Sequence, residues 1–229
     1  MSSFLLVPGA GGSGWYWRQV VAELTSRGHT ARAIDLPGDD PDAGLPEYAR
    51  VIVDAARELE DPDGLVLVGQ SLAGFSVPMA AEQLRPTGIV LLNAMIPIPG
   101  ETAGEWGEHV GSAEARIAAA KQRGYPTDFE PEVYFLHDVP AEVAQEGAEH
   151  ERMETEKSFT DRCEFSDWAA PVTVLIGRDD RLFPLELQQK IARHRLGQEP
   201  HLVPGGHLAA MSQPVAVAAA IVNPPATPG

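Results

Sequence analysis

Ser71 stands in the run Gly69-Gln70-Ser71-Leu72-Ala73-Gly74, directly after an apolar stretch at 65–69 and before an apolar helical pattern. A serine on a sharp strand-to-helix turn is the setting of a nucleophile elbow, where the hydroxyl is lifted clear of a sheet. Small residues at 69 and 73 let the chain turn without side-chain clashes. Ala73 occupies a position where that motif usually has glycine. The plain alternative is a tight turn with Ser71 as a helix N-cap. A serine hydroxyl becomes a nucleophile only when a base takes its proton, and that base needs a carboxylate to orient it.

Seven histidines are available as the base. His207, in Pro204-Gly205-Gly206-His207-Leu208, follows the last strand candidate and precedes the last helix candidate. It therefore emerges at the same sheet edge as Ser71. His29 starts a strand at the opposite edge, and His194 belongs to a polar helix. His201 lies in or beside a strand, and His109, His137 and His150 fall in a polar middle block. The acid is sought between Ser71 and His207, the chain order serine–acid–histidine. Asp180 is preferred, three residues after Gly177 and four before Pro184, with Asp179 as the alternate. Capping of the following helix is the structural alternative for either.

Acyl transfer puts negative charge on an oxygen, which backbone N–H groups must meet. Leu72, after the serine, is one expected donor. Ala10, in the loop Val7-Pro8-Gly9-Ala10-Gly11-Gly12-Ser13-Gly14, is the other. Gly9, Gly11 and Gly14 also match G-x-G-x-x-G, and Asp35 lies 21 residues beyond Gly14, so a dinucleotide site is a competing reading. Trp15-Tyr16-Trp17 would crowd a docking pyrophosphate, and that reading leaves the serine, acid and histidine unexplained.

These residues need a scaffold that delivers loops to one edge. Continuously apolar runs at 3–7, 30–36, 65–69, 88–92, 172–177 and, more weakly, 199–203 predict strands buried on both faces. Helical patterns at 15–27, 47–59, 72–84, 184–195 and 208–222 alternate with them. Pro78 inside the third pattern predicts a kink or a place near the first turns. The alternation predicts a doubly wound, mostly parallel six-stranded α/β sheet with right-handed crossovers. Residues 97–165 break the rhythm with polar helices at 114–123 and 140–156 and the aromatics Tyr125, Phe129, Tyr134 and Phe135. They are read as an inserted helical lid on a core of residues 1–96 and 166–229. The tail at 223–229 is expected to fray.

The chain has 229 residues and a formal net charge of −16. Residues 101–161 carry 15 acids and 5 bases, whereas 162–229 carry 6 of each. Such a chain without a basic stripe repels phosphate backbones and anionic membranes, so no nucleic acid or membrane partner is expected. No apolar run is long enough to span a bilayer. The start lacks the basic region of a secretory signal, which makes a cytoplasmic location the expectation. Cys163, the single cysteine, cannot form an internal disulfide.

Together these segments resemble the α/β-hydrolase superfamily. The resemblance runs from Phe4 to Val222. Asp35-Leu36-Pro37-Gly38 is similar to the family's D-x-P-G turn, and Gly177-Arg-Asp-Asp180 with Pro184 to its acid loop. Met211-Ser-Gln-Pro214 resembles the small esterase branch that includes plant methylesterases and hydroxynitrile lyases. The family's two leading antiparallel strands look absent. Pro8-Gly9 stands where the family often has His-Gly. The lyase members' threonine and lysine correspond to Gly9 and Leu208, which disfavours cyanohydrin cleavage. The resemblance implies a serine esterase for small, neutral, fairly apolar esters, with Ser71, His207 and Asp180 as triad and no cofactor or metal. Gly9, Met95, Tyr134 and Phe135 are expected to meet substrate. A thioesterase, an amidase, a cofactor-free lyase or a non-catalytic binding protein are the other functions compatible with it. The chain is expected as monomer or homodimer.

Overall fold

The computed structural model describes residues 2–59 and 64–224. The core alternates β1 (Ser3–Val7), a 3-10 turn at Gly14–Trp17, α1 (Arg18–Ser26), β2 (Thr30–Ala33), α2 (Leu45–Arg57), β3 (Leu65–Gln70), α3 (Ala73–Leu84) and β4 (Gly88–Leu92). The segment that follows carries α4 (Ala103–Val110), α5 (Ser112–Arg123), α6 (Pro131–Tyr134), α7 (Ala141–Ala148) and α8 (Lys157–Thr160). The core then resumes with β5 (Val172–Gly177), α9 (Leu185–Leu196), β6 (His201–Val203), α10 (Ala209–Ser212) and α11 (Pro214–Val222). The strands form one sheet in the order β2-β1-β3-β4-β5-β6, and every neighbouring pair is parallel. This is the expected doubly wound sheet.

Strand alternation divides the core into two layers. Phe4, Leu6, Val68, Leu92 and Leu175 face one layer, shared with Trp17, Leu24, Val217 and Ile221. Leu5, Val7, Leu67, Leu91 and Ile176 face the other, shared with Ile52, Phe75 and Ile191. Burial on both faces explains why the strands read as unbroken apolar runs.

Several boundaries differ from expectation, each for a local reason. The second strand stops at Ala33, and Leu36 instead donates its N–H to Gly12 O at 2.8 Å. The last helical pattern breaks at Gln213 (φ −136°, ψ 46°), and Pro214 opens α11 at a position where a missing N–H costs nothing. Pro78 lies inside α3, one turn beyond its start at Ala73. Helix α4, not anticipated, is started by a reciprocal cap in which Thr102 and Glu105 satisfy each other's backbone. The pattern at 140–156 ends as a helix at Ala148. Beyond it, Thr155 N–H bonds Gly38 O at 2.9 Å, so the chain runs along the core instead. The tail expectation falls, from residue 225 on, outside the described residues. Among the described residues no helix is long and apolar enough to cross a membrane.

A buried ion pair ties the start of the middle segment to the core. Glu101 is 1% exposed at its side chain and receives Arg195 through its two terminal guanidinium nitrogens, Nη2 at 2.9 Å. His109 Nδ1 lies 2.7 Å from Oε1, which Arg195 Nη2 also reaches, and Ile98 N–H donates to Oε2 at 3.1 Å. Burial alone would raise the Glu101 carboxyl, but these partners, led by Arg195, outweigh it and hold it below the ordinary carboxylate range. A folded carboxyl that ionises more readily than the unfolded one contributes stability above the unfolded pKa, about 4.3, and loses it as pH falls further. Glu101→Gln should therefore lower stability by about 2 kcal/mol at pH 7. Urea midpoints taken from pH 7 to pH 3 should show the gap from wild type closing on the acid side.

Candidate active site

Loops that follow parallel strands all leave at the same sheet edge. Ser71 follows β3 there, Asp180 follows β5, and His207 follows β6. Ser71 has φ +51°, in the left-handed region that few non-glycine residues adopt. The turn is held from both sides. Gly74 N–H donates to Ser71 O at 3.1 Å, and Met95 N–H donates to the same oxygen at 3.0 Å. Gly74 packs directly against the Met95 carbonyl, where a side chain would collide with backbone.

His207 Nε2 lies 3.1 Å from Ser71 Oγ, and its Nδ1 lies 2.9 Å from Asp180 Oδ2. Asp180 is 1% exposed and His207 2%. The buried carboxylate is fully engaged. Its Oδ1 accepts the N–H groups of Leu182 and Phe183, both at 2.9 Å, and Oδ2 also accepts from Gln188 Nε2 at 3.1 Å. Phe135 and Phe183 pack on the imidazole with ring centroids 5.3 and 5.2 Å away. The carboxylate that reaches His207 is thus Asp180. Asp179 lines a different cavity of about 230 Å³ with Arg123, Tyr125, His137, Asp138 and Arg181.

Ser71 and His207 open onto a cavity of about 490 Å³. Ala10, Gly11, Trp15, Tyr16 and Gln70 line it from the core, with Leu208 and Met211 beside His207. Pro131, Phe135, Leu136, Ala144 and Ala148 line it from the middle segment, and Glu132, Glu151 and Arg152 supply its charged groups. Arg152 also donates to Asp35 Oδ2 at 3.1 Å. Burial pushes the Tyr16 phenol above its ordinary value, which keeps it neutral.

Of the expected substrate contacts, Phe135 lies on this cavity. Gly9 lies beneath it, close against Gln70 and the Ser71 side chain. Tyr134 and Met95 are placed elsewhere, contrary to expectation. Tyr134 is fully buried, its hydroxyl donates to Pro126 O at 2.6 Å, and its ring stacks on Phe129. Met95 is buried behind the turn, where its N–H serves Ser71. Leu72 is buried at the entry to α3, and Ala10 is exposed at the cavity wall. The glycines that matched a dinucleotide loop are used for packing: Gly11 abuts Arg152 O and Gly14 abuts Ile34 O, while Asp35 Oδ1 accepts the Gly14 N–H at 2.7 Å. Among the described residues no group of three or more His, Cys, Asp or Glu side chains has a metal-binding arrangement.

Three further side chains matter and carry no local signal in the sequence. Asn93, at φ +47°, accepts Gly177 N–H at 2.7 Å and donates to Gly206 O at 2.9 Å and His207 O at 3.2 Å. It thereby joins the acid loop to the histidine loop. Gln188 braces Asp180 from α9. Glu154 accepts the Gly11 N–H at 2.7 Å and the Tyr48 hydroxyl, fixing the glycine loop.

Residues 4–220 match the model of the alpha/beta hydrolase family. The rice protein named "Probable esterase PIR7A" (Oryza sativa subsp. indica) is 36% identical over 110 residues, covering 44% of this chain and 42% of that protein. Methylesterase 3 of Arabidopsis thaliana is 33% identical over 104 residues, covering 41% and 39%. The matched stretch thus spans about two-fifths of the length of these relatives. Among solved structures, polyneuridine aldehyde esterase superposes with a TM-score of 0.78 at 18% identity, over 97% of this chain and 98% of that one. A pyrethroid hydrolase from Sphingobium faniae JZ-2 gives 0.74 at 23% identity, over 97% and 96%. At such identities the superpositions speak for the fold.

Since Met95 backbone blocks any side chain at 74, Gly74→Ala should shift the serine turn. Overpacking of this kind should lower stability by about 2–3 kcal/mol, read from the denaturant midpoint.

Proposed function

This chain belongs to the alpha/beta hydrolase family, and on that premise we propose that it hydrolyses carboxylic esters of small, neutral molecules. The observation that carries the proposal is the unbroken line Ser71 Oγ–His207 Nε2–His207 Nδ1–Asp180 Oδ2 at the wall of a half-open, largely apolar cavity. Asp180 accepts a hydrogen bond from Nδ1–H and so fixes the tautomer, leaving the Nε2 lone pair directed at the serine hydroxyl. Ser71 Oγ bonds the acyl carbon as its proton passes to Nε2. The N–H groups of Ala10 and Leu72 hold the oxyanion. The imidazolium then gives its proton to the leaving alcohol. A water, deprotonated by the same nitrogen, releases the acid and restores Ser71. Residues 97–165 act as a lid that walls the cavity on one side and limits the entry of bulk water.

Leu208 favours hydrolysis over cyanohydrin cleavage. It lines the cavity immediately after His207 and offers no cation to a departing cyanide. Ser71→Ala should lower kcat for a short-chain p-nitrophenyl ester at least about 1,000-fold while the fold persists. It should also end covalent labelling by a serine-reactive phosphonate, read by intact mass.

The charged groups on the cavity wall favour neutral substrates. Glu132 and Glu151 stand against one guanidinium, Arg152, which Asp35 already neutralises. An ester bearing a remote carboxylate should react about tenfold more slowly than its neutral isostere, and added salt should narrow the gap. Equal rates at all ionic strengths would refute the electrostatic preference.

A further inference from the structure

We propose that Asp138, carried by the middle segment, is a positioning residue for His207: it fixes the Gly205–Gly206 backbone and with it the reach of the imidazole to Ser71. The inference rests on the reading of His207 as the base.

Asp138 Oδ2 accepts two hydrogen bonds that straddle the histidine. One comes from Gly206 N–H at 2.7 Å, the residue before it, and one from Ser212 Oγ at 2.8 Å, five residues after it. The next two peptides are held by Asn93 Nδ2, which donates to Gly206 O and His207 O. The histidine loop is therefore gripped from the core by an amide and from the middle segment by a carboxylate. A carboxylate acceptor makes such bonds shorter and stronger than a neutral one does.

The approach is close enough to demand glycine. A Cβ at Gly206 would lie 2.6 Å from His137 Nε2 and 2.8 Å from Asp138 Oδ1. One at Gly205, where φ is +100°, would lie 2.9 Å from Ser212 Oγ. His137 and Asp138 are thus pressed onto the loop. His137 Nε2 and Asp138 Oδ1 are 3.8 Å apart, and both are buried without a hydrogen-bond partner among the described residues. Burial favours the neutral form of His137, so Oδ2 and its two donors are the firm part of the contact.

Asp138 borders the smaller cavity and not the one that Ser71 opens onto. Its removal should therefore disturb the placement of the base and spare substrate binding. A base displaced by about 1 Å can lose about 100-fold in rate.

The test compares wild type, Asp138→Ala, Asp138→Asn and Ser71→Ala on a short-chain p-nitrophenyl ester. Active sites are titrated with a serine-reactive phosphonate, and the downfield His207 Nδ1 proton is followed by NMR. Asp138→Ala should lower kcat per titrated site about 10- to 100-fold with KM within about twofold. Its downfield resonance should broaden or vanish. Asp138→Asn keeps an oxygen for Gly206 N–H, so it should recover part of the loss. If Asp138→Ala does not fold, a fall of about threefold or more in Asp138→Asn carries the proposal, on the weaker acceptor it retains. A kcat per titrated site within twofold of wild type in the folded variant would overturn it, whatever happens to thermal stability. Turnover that survives Ser71→Ala instead sinks the reading of the site itself, and this inference with it.

Discussion

A carboxylate removed from water must recover from the protein what it loses in hydration. Asp180 is 1% exposed, and it does so with two backbone N–H groups, one amide and one imidazole. Three of those donors come from residues 182–188 on its own side of the chain, so most of the carboxylate's support is local and independent of the histidine. The fourth donor arrives from residue 207. The position of His207 is therefore answerable to a charge that has few other ways to be satisfied. From the imidazole the constraint passes to Ser71, whose left-handed backbone and doubly bonded carbonyl leave the hydroxyl little freedom. Each link is ordinary in strength, but the loss of any one exposes a buried polar group to an apolar surrounding.

The parallel sheet is what makes this line possible at modest cost. Strands β3, β5 and β6 all run the same way, so their following loops meet above one edge without a long excursion of the chain. Asn93, at the end of β4, completes the row between them. It links Gly177 to Gly206 and His207, and so keeps two loops from adjacent strands in fixed register. The two layers of apolar side chains beneath hold that edge rigid.

Ser71, Asp180 and His207 could be found in the sequence because each lies in a local strand–turn–helix context with small residues and a fixed order. The sheet was legible for the same reason, as burial on both faces leaves an unbroken apolar run. What escaped depends on contacts far apart in the chain. Asn93 and Gly206 are 113 residues apart, Asp138 and Gly206 are 68, and Glu154 and Gly11 are 143. No spacing rule reports such pairs. The aromatic cluster at 125–135 misled for a related reason. Composition marked Tyr134 and Phe135 alike, yet one turn of helix sends Tyr134 inward to Pro126 and Phe135 out to His207. The break at Pro214 was written in the sequence, but the apolar pattern running through it hid the boundary.

The middle segment meets the core through polar contacts placed at its two flanks of the site. Asp138 holds the histidine loop, and Glu154 holds the glycine loop through Gly11 while also accepting from Tyr48. A segment attached this way is not an interchangeable module. A graft from a related protein, or a deletion meant to widen access, would leave Gly206 N–H and Gly11 N–H without their acceptors even if every strand stayed in place. Exchange of this segment would have to carry both carboxylates, at both anchor points, before its new wall could reshape what the cavity admits.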